Sequence, residues 1–83
     1  MEKEIGKVFR YFSNISVAAI ELSDTLKVGD KIAIRGATTN FDQVVDSMQE
    51  HNQDIDIANV GAQIAIKTME KVRENDTVYL IEE

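Results

Sequence analysis

The chain's single histidine, His51, sits in the polar run Glu50-His51-Asn52-Gln53-Asp54, with another carboxylate at Asp56. An imidazole beside carboxylates can carry protons or help to gather a divalent cation. Neither chemistry is well formed here. A nucleophile needs an adjacent base, yet there is no cysteine and no G-x-S-x-G elbow. The Asp54–Asp56 spacing opens like a calcium loop, but Asn59 stands where the turn requires glycine and no terminal Glu follows. His51 therefore reads as a solvated loop residue, and the acids around it as a solubilising face. No catalytic residue, metal ligand or cofactor is expected.

Phosphate chemistry is equally poorly provided for. Gly6-Lys7 is the one Gly-Lys pair; Val8 follows it, and Met1 stands where the first glycine of a phosphate-cradling loop belongs. With no G-x-G-x-x-G either, GTP binding is not expected.

A better candidate for recognition is the stretch from Gly36 to Phe41, read as an exposed loop. It offers a free glycine, the hydroxyls of Thr38 and Thr39, the Asn40 amide and an aromatic ring at Phe41. Arg35 stands at its entrance and Lys31 lies on the same strand face. Charge to position a phosphate, hydroxyls to bond it and a ring to stack are the ingredients of RNA contact. They equally suit an acidic protein patch with an aromatic anchor. Lys31, Arg35, Thr38, Thr39 and Phe41 are thus the candidate partner-binding residues. The competing reading folds Phe41 into the core and leaves an ordinary surface loop. Phe9, Tyr11, Phe12 and Tyr79 are assigned to core or cross-strand packing.

These residues must be positioned by one domain, since 83 residues leave no room for a second core. A chain this small buries roughly 60–65% of its unfolded surface. Without cysteine it has no disulfide to help, which favours a reducing, cytoplasmic setting. No apolar run is long enough for a membrane span, so no membrane partner is expected. The net charge of −6 argues against indiscriminate binding to DNA or RNA. It is unevenly spread: residues 37–56 carry five acids and no Lys or Arg, whereas residues 1–36 carry six basic groups against five acids.

Strand periodicity runs through the chain. Lys31-Ile32-Ala33-Ile34-Arg35 and Gln63-Ile64-Ala65-Ile66-Lys67 alternate as half-buried strands do, and Thr77 to Ile81 is rich in β-formers. Ile5–Phe12 and Ser16–Leu22 read as a hairpin about Ser13-Asn14-Ile15, with Asn14 in the left-handed conformation. Val28-Gly29-Asp30, Val60-Gly61 and Arg73 to Asp76 read as turns. Across residues 41–51 a helix competes with a strand bulged near Ser47; the strand is preferred. These signals predict an all-β fold, a small closed barrel of six or seven antiparallel strands over residues 1–83. Its expected core is Val8, Ile20, Leu22, Val28, Ile32, Ile34, Val45, Ile64, Ile66, Val78 and Leu80.

The run Leu26-Lys27-Val28-Gly29-Asp30-Lys31-Ile32-Ala33-Ile34 resembles part of the second, β-barrel domain of elongation factor Tu and other translational GTPases. Gly6-Lys7-Val8, Val45 to Gln49, Ala58-Asn59-Val60-Gly61 and Val72 to Val78 follow in that family's order, over about residues 5–81. Asn75-Asp76 replaces the usual Gly-Asp of the last turn, and Ala62-Gln63 replaces an acid after Gly61. The pattern is also similar to stand-alone elongation-factor-like proteins and to the C-terminal barrel of a collagenase-like peptidase family. The translation-factor resemblance implies a non-catalytic module that docks on structured RNA or a protein in translation or RNA metabolism. The alternative is a regulatory or targeting protein-interaction subunit of an enzyme.

Overall fold

The structure is a computed structural model that describes residues 2–82. Its strands are β1 (Glu2–Phe12), β2 (Val17–Leu22), β3 (Leu26–Lys27), β4 (Lys31–Arg35) and β5 (Asn40–Val44). They continue as β6 (Met48–Glu50), β7 (Gln53–Ile55), β8 (Ile57–Ala58), β9 (Gln63–Lys67) and β10 (Thr77–Ile81). Eight of them form one antiparallel sheet in the order β5-β4-β10-β1-β2-β9-β6-β7, and β3 pairs with β8 separately.

The all-β expectation holds, but the closed barrel of six or seven strands does not. The large sheet has eight strands, and its outer members β5 and β7 share no ladder. The opening lies between Val44 and Met48, where the chain changes partners. β5 pairs with β4, while β6 pairs with β9. Between them Val45 leaves the ladder to donate its N–H to Asp30 O at 2.9 Å. The gap is spanned by a side chain: Gln43 Nε2 donates to Lys67 O at 2.9 Å, and Gln43 Oε1 accepts from Met69 N–H at 2.8 Å. The sheet curls round its core and is held at this seam by one carboxamide.

Residues 41–51 contain no helix. Phe41, Gln43 and Val45 face inward, Asp46 and Ser47 both face out, and Met48 faces inward again. The expected bulged strand does not form: β5 ends at Val44 and β6 begins at Met48 against another partner, and the irregular residues between them absorb the odd step.

Nine of the eleven expected core residues are buried. Leu80 is only partly buried, packed against the core. Val28 is 37% exposed, because the turn into β4 begins there: Asp30 N–H donates to Lys27 O, and Lys27 N–H to Asp30 Oδ2. The core also takes Ile5, Ala18, Leu26, Ala33, Phe41, Met48, Ala58 and Val72. Each large aliphatic side chain removed from water in this way contributes about 1.5–3 kcal/mol.

The expected turns at Gly29, Gly61 and Asn75 all use the left-handed region, with φ of 98°, 86° and 76°. In the β1–β2 turn, however, the left-handed residue is Ser16 (φ 56°) rather than Asn14. Val17 immediately after it begins β2, so the last turn position carries the twist into the strand. The paired φ values of His51 and Asn52, 53° and 63°, match a two-residue hairpin turn between β6 and β7.

Candidate functional site

The five residues singled out in the sequence do not form one exposed patch. Lys31 and Thr38 are exposed. Thr39 is only 4% exposed and its carbonyl accepts the Gly36 N–H at 2.7 Å, so the loop closes on itself. Phe41 is buried in the core at 9% exposure, as the competing reading had it. The idea of a fully exposed 36–41 loop is thereby corrected: β5 begins at Asn40 and its alternation turns Phe41 inward.

Arg35 is occupied. Its Nη2 lies 2.5 Å from Glu2 Oε2, its Nε donates to Glu2 Oε1 at 3.0 Å, and Nη1 bonds Asn40 Oδ1. Asp42 stands 3.7 Å away. The hydrogen bond to Glu2 raises the pKa of Arg35, and the reciprocal bond holds the Glu2 carboxyl below its ordinary range. A guanidinium engaged with carboxylates on two strands works as a staple between β1, β4 and β5. Lys3 and Asp24 form a second surface pair at 2.5 Å; their hydrogen bond raises the lysine's pKa and lowers the aspartate's.

A concave surface lies elsewhere, over β9. On the outer face of β2 and β9 the cross-strand pairs are Val17–Lys67, Ala19–Ala65 and Glu21–Gln63. The two small alanines at the centre leave the surface low, while larger side chains rise round it. Gln49 of β6 sits opposite Ala65 and donates to Asp54 Oδ1 at 3.0 Å. Three adjoining depressions of about 220, 200 and 230 Å³ share Ala65 and Gln49, then Ser47 and Lys67, and so make one shallow groove. Phe9 lines one end, at 43% exposure, and Met69 the other, at 79%.

Sequence reading assigned Phe9 to packing and so missed one end of this groove, although alternation from the inward Val8 already turns Phe9 out. The β1–β2 register slips between Val8 and Arg10, so Arg10 turns outward beside Phe9. Simple alternation from Val8 gives no sign of that slip. The spacing of Ala19 and Ala65 was visible, but their pairing is a tertiary fact. Among the described residues no group of three or more His, Asp or Glu side chains is placed to hold a metal. His51 lies exposed at one rim of the groove.

Two solved structures, both of the C-terminal domain of a putative U32 peptidase from Geobacillus thermoleovorans, share this fold. One superposes with a TM-score of 0.90 at 17% identity, covering 96% of this chain and 93% of that one. The other, a selenomethionine variant, gives 0.87 at 18%, covering 92% and 96%. The architecture is thus the fold of those two C-terminal domains. In sequence the chain is 46% identical over 81 residues to an uncharacterized protease of Methanocaldococcus jannaschii. It is 39% identical over 77 residues to a collagenase of Porphyromonas gingivalis. These matches take in 96% and 90% of this chain but only 20% and 21% of the relatives, so it spans about a fifth of their length. No family model matches the sequence.

These comparisons overturn the translation-factor resemblance: the relatives found are named for proteolysis. Among the motifs behind that resemblance, Gly29 and Gly61 set turns in the left-handed region, and Asn75, where the pattern departs from the family, does the same. A related succession of turns suffices to produce them, whatever the surface does. No helix among the described residues is long and apolar enough to cross a membrane.

Proposed function

We propose that this chain is a non-catalytic accessory module of a peptidase-like protein, and that its groove over β9 engages polypeptide. The observation that carries the reading is one of proportion: nearly all of the chain matches about a fifth of the proteins named protease and collagenase. A segment that recurs whole inside longer chains behaves as a unit attached to other machinery. The groove supports a polypeptide ligand, since it is long, shallow and partly apolar, with Gln49 and Ser47 available for main-chain groups. The acidic balance of the chain disfavours a phosphate backbone in the same place.

The test uses the isolated chain with gelatin, a polypeptide of the kind the collagenase name suggests. Expected are no cleavage and saturable binding that shifts the NMR signals of Phe9, Gln49, Ala65 and Met69. Ala65→Arg, which fills the groove, should abolish those shifts while leaving the rest of the spectrum in place. Gelatin hydrolysis by the purified chain would overturn the non-catalytic part. Shifts confined to Lys31 and Thr38, or steeply salt-dependent binding of RNA alone, would overturn the groove.

A further inference from the structure

The sheet has two outer strands, and they are finished differently. β7 is three residues long, and just beyond it Asp56 O accepts the Val28 N–H at 2.9 Å, so the chain after β3 covers that side. β5 is five residues long and has only β4 beside it. Two flanking bonds fix which way its main chain faces: Gly36 N–H donates to Thr39 O at 2.7 Å, and Val45 N–H donates to Asp30 O at 2.9 Å. In an antiparallel ladder the residues that bond one neighbour lie two apart. Thr39, Phe41, Gln43 and Val45 therefore turn their main-chain groups toward β4, and Asn40, Asp42 and Val44 turn theirs away. Those three residues are exposed, and among the described residues no strand pairs with that side of β5.

An open edge of this kind is normally blunted by a lysine, a proline or a bulge. β5 has none of them. It reads Asn40-Phe41-Asp42-Gln43-Val44, and its register with β4 runs unbroken from Lys31–Val44 to Arg35–Asn40. Its one charge, on Asp42, lies 3.7 Å from Arg35. The bridge from Gln43 to Lys67 is made by an inward side chain and uses none of the outward main-chain groups.

Charge decides what can pair there. Asp42 falls at the middle of the edge, within residues 37–56, which carry five acids and no Lys or Arg. A second copy adding edge to edge, fully overlapped, would set Asp42 opposite its own counterpart, and like charges so placed repel. A Lys or Arg in that position attracts instead. Val44, 48% exposed, gives an apolar side chain two residues away something to pack on.

We propose that β5 accepts a further antiparallel strand from an extended basic polypeptide, which pairs with the main chain of Asn40, Asp42 and Val44 and sets a Lys or Arg opposite Asp42. Main-chain pairing supplies the affinity, and the side chains opposite Asp42 and Val44 supply the choice of segment. The site is the edge of β5 and not the groove over β9, so the two stand or fall separately.

The probe is the peptide acetyl-Val-Thr-Lys-Thr-Thr-amide, whose Val, Lys and last Thr fall opposite Val44, Asp42 and Asn40. Titrated into the chain and followed by NMR, it should slow hydrogen exchange at the Asn40, Asp42 and Val44 amides. Phe41 and Gln43, already bonded to β4, should change little. A peptide with Glu in place of Lys should bind roughly two- to fivefold more weakly, and Asp42→Lys should reverse that order. Methylating the backbone nitrogen of the peptide's Lys keeps the charge, removes a pairing N–H and should weaken binding about tenfold. No protection at the three amides up to the peptide's solubility limit would overturn the proposal, as would equal binding of the methylated peptide. Protection produced by raising the protein concentration alone would assign the edge to a second copy and sink the proposal too. Shifts confined to Phe9, Gln49, Ala65 and Met69 would give the peptide to the groove and remove the edge site.

Discussion

Two ends of the short strand β5 handle polar groups in opposite ways. At the Asn40 end, Arg35 bonds Glu2 and Asn40 through three of its five N–H groups and has Asp42 3.7 Å away, all exposed or half-buried. At the Val44 end the ladder stops, and the buried Gln43 reaches across to Lys67 and Met69 beside an unpartnered Thr68 hydroxyl. The first region is rich in charge, and its guanidinium is already paired with carboxylates. The second is uncharged at its floor and has bonds to spare. Residue type alone draws the eye to the first; what sets the second apart is a buried hydroxyl with no partner.

Both regions stand on the same core, and that is where the largest effects should fall. Ile34, 0% exposed, lies next to Arg35, and Ile66, 2% exposed, lies next to Lys67. Ile34→Ala and Ile66→Ala should each cost about 2–5 kcal/mol, read as a lower denaturant midpoint. A large loss at one and none at the other would mean that only one end of β5 rests on a packed interior.

Gln43→Leu probes the seam directly. Removing the carboxamide leaves Lys67 O and Met69 N–H unpaired, which should cost about 1–3 kcal/mol. Hydrogen exchange should quicken at Met69 before it does at Val78 in the core. An unchanged stability would mean that the open sheet needs no bridge.

Thr68→Val should move stability by no more than about 1 kcal/mol, toward neutral or greater stability, because it removes a hydroxyl that bonds to nothing. A clear loss would reveal a structural partner for that hydroxyl and erase the contrast between the two ends.

The smallest effect belongs to the charged corner. The Glu2 and Asp24 carboxyls are held below their ordinary range by Arg35 and Lys3. A depressed carboxyl contributes stability above its unfolded-state pKa, and the contribution fades as pH falls through the folded value. The Lys3 pKa is raised, so its share is present below the ordinary lysine range and is lost in strongly alkaline solution. Because the pairs are solvent-exposed, Glu2→Gln should only slightly flatten the acid limb of a stability–pH curve, and less so in high salt. A large shift in that limb would make the corner the dominant tie of the fold.

Strand positions, turn positions and most of the core follow from local chemistry. Isoleucines two apart in 32–34 and 64–66 have to face one way, and Gly29, Gly61 and Asn75 supply the left-handed conformations that the turns need. The chain lacks the nucleophile and loop motifs of known catalytic and phosphate sites, and that was equally plain in the residues. What local pattern cannot convey is which strand lies beside which. The slip at Phe9, the outward pair Asp46-Ser47 and the change of partner between β5 and β6 are decided by pairing between residues far apart in the chain. Those three events turn Arg10 outward beside Phe9, open the sheet and set Gln43 and Thr68 round one pocket. A strand's period of two says which residues share a face, and only the assembled sheet decides whether that face meets the core, a neighbour or water.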